Sequence, residues 1–423
     1  MDTMTFCVPC LFGLEGLVGD ELRRLDLQNV RVEDRRVFFE GDFAAMAKAN
    51  LCCRMGERVM ILLAEFDAHS FEDLFQGVKA VPLERFIPKD GAFPVKGYSL
   101  NSQLHSVPDC QAIVKKAAVT RLGEKYGLGW LPETGETYQL RFSIMKDHVE
   151  LFLDTSGVSL HKRGYRREAN LAPLHETMAA AMVNLARYRG RDFFWDPFCG
   201  SGTICIEAAM IALNRAPGLN RSFMAQKWSC VPETVWQQAR TEALDREYRG
   251  EYRILGSDID PASLEIAQQN ARKAGVGKLI EFREADATKM SLPADKGLIV
   301  CNPPYGERLE DVPTLEPLYE GIGQWLRHGV PAGWKAWVIT SSKELSLKIG
   351  LRTSAILPFK NGPLDCRLIG YDIGAPATAG DASDDERLAA WDDGDAAPAP
   401  APEALPEATP PEQSGEAMGR DAE

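Results

Sequence analysis

Short runs of alternating or continuous apolar residues alternate along this chain with stretches in which apolar positions recur every three to four residues. At the N-terminus "TFCVPC" reads as a strand, "GLEGLVGDELRRL" as an amphipathic helix and "VRVEDRRVFFEG" as a hairpin. "DFAAMAKANLCCRM" then reads as a second helix and "RVMILLAEF" as another strand. Helices set between strands predict a small α+β sandwich over residues 1–68. In a second zone, residues 69–166, "FPVKGYSLNSQLHS" is a strand and polar loop. "PDCQAIVKKAAVTRLGEKYG" is a helix with Pro108 near its first turn, and "YQLRFSIMKDHVELFLDTSG" is two strands joined at 146–148. The zone ends in "LHKRGYR". Residues 167–374 alternate strand with helix, the pattern of a parallel sheet covered on both faces.

Composition narrows the class. With 423 residues, 45% of them apolar and 9% aromatic, the chain is long enough for two or three cores. No apolar run reaches the roughly 18 residues of a membrane span, and "MDTMTFCVPC" lacks the layout of an export signal. A cytoplasmic protein is expected. Ten cysteines, several of them within apolar strands, fit buried thiols better than a disulfide framework. Cys7 and Cys10 have the spacing of half a zinc site, yet no second pair completes four ligands, so no metal is expected. The net charge of -13 is concentrated in residues 381–423, where thirteen acids face two arginines, leaving the body nearly neutral. That segment is rich in Ala, Pro and acids, and residues 375–423 are expected to form a disordered tail.

The third zone carries the chemistry. "FFWDPFCGSGTICIEAAMIAL" is an apolar strand, a glycine-rich turn at residues 196–203 and then a helix. It is neither a phosphate loop nor a dinucleotide fingerprint, because only Gly200 and Gly202 are placed as a pair. An acid opening the loop, Asp196, favours a ligand bearing a cation or an amine. "RILGSDIDPASLEIAQQNARKAG" ends a second strand at Asp258, suited to accepting from a ribose diol, while Asp260 before Pro261 has the form of a helix cap. "IEFREADAT" ends at Asp286, an acceptor for an adenine amino group. Finally "IVCNPPYGERL" is a buried strand stopped by two prolines, which present an amide, two stiff carbonyls and an aromatic ring together.

In the order D-P-F-C-G-S-G-T, G-S-D-I-D, A-D-A-T, N-P-P-Y, these segments resemble the class I S-adenosylmethionine methyltransferases. The resemblance implies an α/β fold, a Rossmann-like domain with a seven-stranded mixed sheet. "TSAILPFKNGPLDCRLIGYDI", with Asn361 and Gly362 at a hairpin, would supply its antiparallel edge. It implies S-adenosyl-L-methionine as cofactor, held by Asp196, Pro197, Cys199, Gly200, Gly202, Thr203, Asp258, Ile259, Asp286, Ala287 and Asn302. The acid of the second strand lies well beyond the usual interval of roughly 20 residues after the glycine loop. The intervening "NRAPGLNRSFMAQKWSCVPETVWQQARTEALDREYRG" reads as an inserted helical segment. Methyl transfer to an exocyclic amine needs the nitrogen lone pair turned out of conjugation. Asn302 and the Pro303 carbonyl can accept both N–H groups, Tyr305 can stack on the base, and Pro304 stiffens the turn.

"VKGYSLNSQLHSVPDCQAIVKKA" and "LHKRGYR" resemble the THUMP domain and adjoining segment of RNA methyltransferases that act on guanosine N2. The resemblance implies α+β ferredoxin-like and THUMP domains, at 1–68 and 69–166, preceding the catalytic domain at 167–374. Structured RNA is the implied partner, 23S rRNA foremost with tRNA as the alternative. Neither a membrane nor an obligate protein partner is expected. Lys115, Lys116, Lys162, Arg163, Arg166 and Arg167 are the implied phosphate contacts; bottom-up, residues 162–167 are a basic cluster with Tyr165 inside it. In the resembling enzymes the segment after it closes over the methyl donor, which assigns Pro173, Leu174 and Thr177 to that pocket. Two other readings stay open: an adenine-N6 methyltransferase of DNA, supported by N-P-P-Y alone, and a noncatalytic RNA-binding assembly factor.

Overall fold

Two seven-stranded sheets organise the chain, shown here as a computed structural model that describes residues 3–166, 174–290, 292, 294, 296–306, 312–361 and 364–374. The first sheet is built from β1 (Met4–Pro9), β2 (Gln28–Glu33), β3 (Arg36–Gly41), β4 (Met60–Asp67), β5 (Val95–Leu100), β6 (Leu140–Met145) and β7 (His148–Asp154). Between them run α1 (Glu15–Arg24), α2 (Phe43–Cys52), α3 (Phe71–Ala80) and α4 (Val107–Tyr126). Two of these helices begin at polar caps. Asp42 accepts Ala44 and Ala45 N–H before α2, and Ser70 forms a reciprocal capping box with Asp73 before α3.

Strand order β2-β3-β1-β4-β7-β6-β5 joins the two N-terminal zones into a single sheet. The seam is the antiparallel pairing of β4 with β7, where Leu62 faces Phe152 and Glu65 faces Glu150. The four helices cover one face, packing Val18, Met46, Leu74 and Val114 against Phe6, Val37 and Leu151. On the other face Cys7, Phe38, Met60 and Phe152 form a small cluster beneath Arg31 and Arg36. Cys10 lies in the opposite cluster, so the two cysteines of the half-zinc spacing face apart.

The second sheet follows α5 (Glu176–Leu185). Its elements are β8 (Phe193–Asp196), α6 (Thr203–Ala212), α7 (Glu233–Asp245), β9 (Ile254–Asp258), α8 (Pro261–Ala274) and β10 (Ile280–Glu284). There follow β11 (Gly297–Cys301), α9 (Val312–His328), β12 (Lys335–Thr340), α10 (Lys343–Lys348), β13 (Ala355–Asn361) and β14 (Leu364–Asp372). The order is β10-β9-β8-β11-β12-β14-β13, parallel as far as β12, with β14 antiparallel between β12 and β13. The hairpin expected at Asn361 is present as the β13–β14 pair; Gly362 lies outside the described residues. Phe194, Ile254 and Val300 pack toward α5, α6 and α8, whereas Trp195, Leu255 and Ile299 pack toward α9 and α10.

The insertion between α6 and β9 contains α7, as its composition suggested. It docks on the first sheet's module: Gly218 N–H donates to Leu51 O at 2.8 Å and Arg54 Nη2 to Arg215 O at 2.9 Å. Among the described residues no helix is long and apolar enough to cross a membrane. The tail at 375–423 lies outside the described residues.

Candidate active site

Four neighbouring parallel strands, β10, β9, β8 and β11, end on the same edge of the second sheet, where open α/β sheets place their ligands. Asp196 is the last residue of β8 and Asp258 the last of β9, and Asn302 directly follows β11. Asp286 lies two residues past β10 and caps a single helical turn.

The turn from Asp196 to α6 is held from three sides. Cys199 N–H donates to Ser257 O at 2.9 Å, Gly200 N–H to Asp258 Oδ2 at 2.9 Å, and Asn270 Nδ2 to Ser201 O at 3.1 Å. Gly202 caps α6 at φ +81, and a Cβ there would come 3.0 Å from Ala267 Cβ, so glycine is required twice over. Gly200, at φ +48, faces open space. A ligand can approach the backbone there.

Asp196 is only 1% exposed, and Phe198 N–H donates to its Oδ1 at 3.1 Å. Burial raises its pKa well above the ordinary aspartate range; the Phe198 bond opposes the rise and Asp258 adds to it. A ligand ammonium beside it would restore the charged form. Asp258 is half-buried, and its two oxygens accept Gly200 and Asp260 N–H. Asp260 caps α8 through Ala262 and Ser263, as expected. Ile259, between the two acids, is 73% exposed, an apolar surface open to a flat ligand. Asp286 is held below the usual aspartate range first by Lys289, 2.7 Å away, and then by Thr288. Pro197, Cys199, Thr203 and Ala287 are buried behind this edge.

Asn302 Oδ1 is buried and has no hydrogen-bond partner among the described residues. An orphaned buried acceptor is costly, and a ligand N–H is what it lacks. Pro303 is buried, Pro304 is exposed, and Tyr305 is half-buried against both cores. The two rigid residues thus hold the amide and the ring at the same strand end.

The expected phosphate contacts separate into different classes. Lys116 and Lys162 are exposed. Lys115 is instead engaged: its Nζ lies 2.7 Å from both Glu133 oxygens and 3.5 Å from the Phe93 ring centre. Arg163 does not face solvent. Its side chain is 2% exposed and donates to Leu160 O at 2.7 Å and to Arg54 O, with Nε 3.5 Å from Glu207 Oε1. A buried glutamate on α6 draws the guanidinium inward, and Tyr165 is buried beside it with its hydroxyl 3.3 Å from the same oxygen. Arg163 is thus corrected from an RNA contact to an internal ion pair. Arg166 also turns inward, donating to Thr203 Oγ1. Arg167 and Pro173 lie outside the described residues. Leu174 is buried, and Thr177, fully buried, points its hydroxyl toward Glu57 of the first module at 3.2 Å.

Strand order, glycine turn and four polar residues at one sheet edge define a class I S-adenosylmethionine-dependent methyltransferase. Residues 163–369 match the family described as the RMKL-like methyltransferase domain, 5–60 the RlmL ferredoxin-like domain and 68–154 the THUMP domain. The chain is 40% identical over 366 residues, 86% of its length and 94% of the relative's, to YpsC of Bacillus subtilis (strain 168), which is named provisionally as an RNA methyltransferase. It belongs to the THUMP-containing class I RNA methyltransferases. Among solved structures, a Listeria monocytogenes protein described as a predicted N6-adenine-specific DNA methylase is 44% identical with a TM-score of 0.83, covering 88% of this chain and 96% of its own. Another, SMU.472, provisionally named a methyltransferase and solved with S-adenosylhomocysteine, is 36% identical with a TM-score of 0.83, covering 89% of this chain and 100% of its own. S-adenosylmethionine is the cofactor of this family.

Proposed function

We propose that the chain methylates the exocyclic N2 amine of a guanosine in 23S rRNA, in the cytoplasm. The orphaned Oδ1 of Asn302, buried just past β11, the neighbour of β8, is the observation that carries this reading. The donor supplies an electrophilic methyl group on a sulfonium. Asp196 would face its ammonium, the Gly200–Gly202 backbone would line its body, Asp258 would accept from its ribose hydroxyls, and Ile259 with Asp286 and Ala287 would hold the adenine. Asn302 Oδ1 and the Pro303 carbonyl would take the two amine hydrogens, which aims the nitrogen lone pair at the methyl group. Tyr305 would stack on a base that is flipped or already unpaired. No strong base is needed, because nitrogen gains positive charge as it is attacked and the proton leaves afterwards. The division into 1–68, 69–166 and 167–374 follows the same reading, with Lys116 and Lys162 as phosphate contacts.

The THUMP match and the RNA methyltransferase relative support RNA over DNA as substrate. The resemblance to guanosine-N2 enzymes and the RlmL-type first domain support the base and the rRNA. An adenine-N6 reading is favoured only by the shared N-P-P-Y and the description of the Listeria relative. Nucleoside mass spectrometry after incubating unmodified 23S rRNA, tRNA and DNA separately with the protein and labelled donor tests all three. Label in N2-methylguanosine of 23S rRNA is the expected result. Label in tRNA alone moves the substrate, label in N6-methyladenine moves the base, and no transfer to any of them overturns the catalytic reading.

A further inference from the structure

The segment that leaves the first sheet after β7 is fastened to the helix that carries the glycine turn. On that strap Arg166 has its side chain 16% exposed. Its Nη2 donates to Thr203 Oγ1 and, at 3.2 Å, to Leu174 O, and its Nη1 lies 3.8 Å from Glu176 Oε1. Nε is enclosed with no partner among the described residues. One cation therefore ties the first residue of α6 to the approach of α5. Thr203 Oγ1 lies 3.4 Å from Ser201 Oγ, inside the turn itself. Three residues earlier on the strap, Arg163 pairs with Glu207, which lies one helical turn beyond Thr203 on the same face of α6. Turning Arg166 out to a phosphate would forfeit its internal bonds and leave Glu176, itself buried, without its cation.

We propose that Arg166 is a positioning residue for methyl transfer: acting through Thr203, it fixes the glycine turn in the shape that receives the donor. This rests on the reading that the donor occupies the turn. Arg166 lies on the strap that follows β7 and bonds Thr203, so it also links the seating of the first module to the donor pocket.

The test is a double-mutant cycle on S-adenosylhomocysteine affinity, measured by calorimetry on the full chain. Arg166→Ala and Thr203→Val should each weaken binding about tenfold, the scale of a lost hydrogen bond to a charged group, and the double variant no more than either alone. The KM for the donor should rise in parallel, while RNA affinity and its salt slope stay as in the wild type. Arg166→Lys keeps the charge without the fork; should the alanine variant fail to fold, its cycle with Thr203→Val gives the same readout. Unchanged donor affinity in both Arg166 variants, additive losses, or a flatter RNA salt slope would each overturn the proposal. Asp258→Ala separates the two layers. A wild-type donor affinity there removes the pocket reading and this proposal with it, whereas a loss there with none at Arg166 removes only the role of Arg166.

Discussion

Arg163 Nε and Glu207 Oε1 lie 3.5 Å apart in a space closed to solvent, and they join the strap after β7 to α6. The pair continues into the first module, because Arg163 also donates to Arg54 O, and Arg54 lies 3.9 Å from Glu21. Burial works to lower the pKa of Arg163, but Glu207 and then Glu176 outweigh it and raise it overall. Arg163 thus stays charged. Four ionisable groups run in sequence between the two sheets.

Arg163→Ala should cost about 3–5 kcal/mol of stability, because Glu207 stays buried and loses its counter-charge. Urea denaturation of the full chain reads the loss as a lower midpoint. The salt slope of RNA binding should not move, and a slope that falls by about one would return Arg163 to the phosphate footprint.

Lys116→Ala with Lys162→Ala should weaken RNA binding at low salt and reduce the slope of log K against log salt by about two, one for each phosphate contact. Donor affinity should be unchanged. Filter binding across a salt series gives both quantities, and a wild-type slope would place the footprint elsewhere.

Asn302→Ala should keep donor and RNA affinity while lowering turnover by roughly two to four orders of magnitude, since only the aim of the amine is lost. Single-turnover kinetics with saturating donor isolate that step. Near-normal turnover would take Asn302 out of the mechanism.

Asp196→Asn links acidity to stability. The folded protein holds the Asp196 pKa above its unfolded value, so the stabilising contribution is full below the unfolded value and lost as pH rises through the folded one. Ionising the unliganded carboxyl places a charge where burial disfavours it. Asn keeps the Phe198 bond without that charge and should raise Tm by a few degrees. Wild-type affinity for S-adenosylhomocysteine should increase as pH rises above the unperturbed aspartate value of about 3.9, because the charged carboxylate accepts the ammonium. The variant should bind weakly, with a flat profile. Calorimetry at several pH values checks both slopes.

What the sequence showed and what it hid follow from how local each feature is. Asp196, Asp258 and Asn302 were legible because each terminates a strand within its own segment, marked by glycine or proline. The single N-terminal sheet was not, since β4 and β7 are far apart in sequence and nothing near Leu62 names Phe152 as its partner. Helix α3 went unread although Ser70 and Asp73 have capping-box spacing and Leu74 and Val78 share a face. The inward turn of Arg163 and Arg166 was not legible, because charge alone does not reveal direction. A signal was present in "TICIEAAMIAL": Glu207 is a lone acid in an apolar helix, and such an acid calls for a buried cation from elsewhere.

The docking of the α6–β9 insertion on α2 has a consequence for building new enzymes. Modules joined by a free linker can be exchanged at the linker, but here the catalytic half reaches back through Gly218, Arg215 and α7 to grip Leu51 and Arg54. A graft of another enzyme's RNA-reading half onto this methyl-transfer half therefore has to move α2 and the insertion as one transplant unit, because a crossover at residue 166 alone would cut through the graft's own foundations.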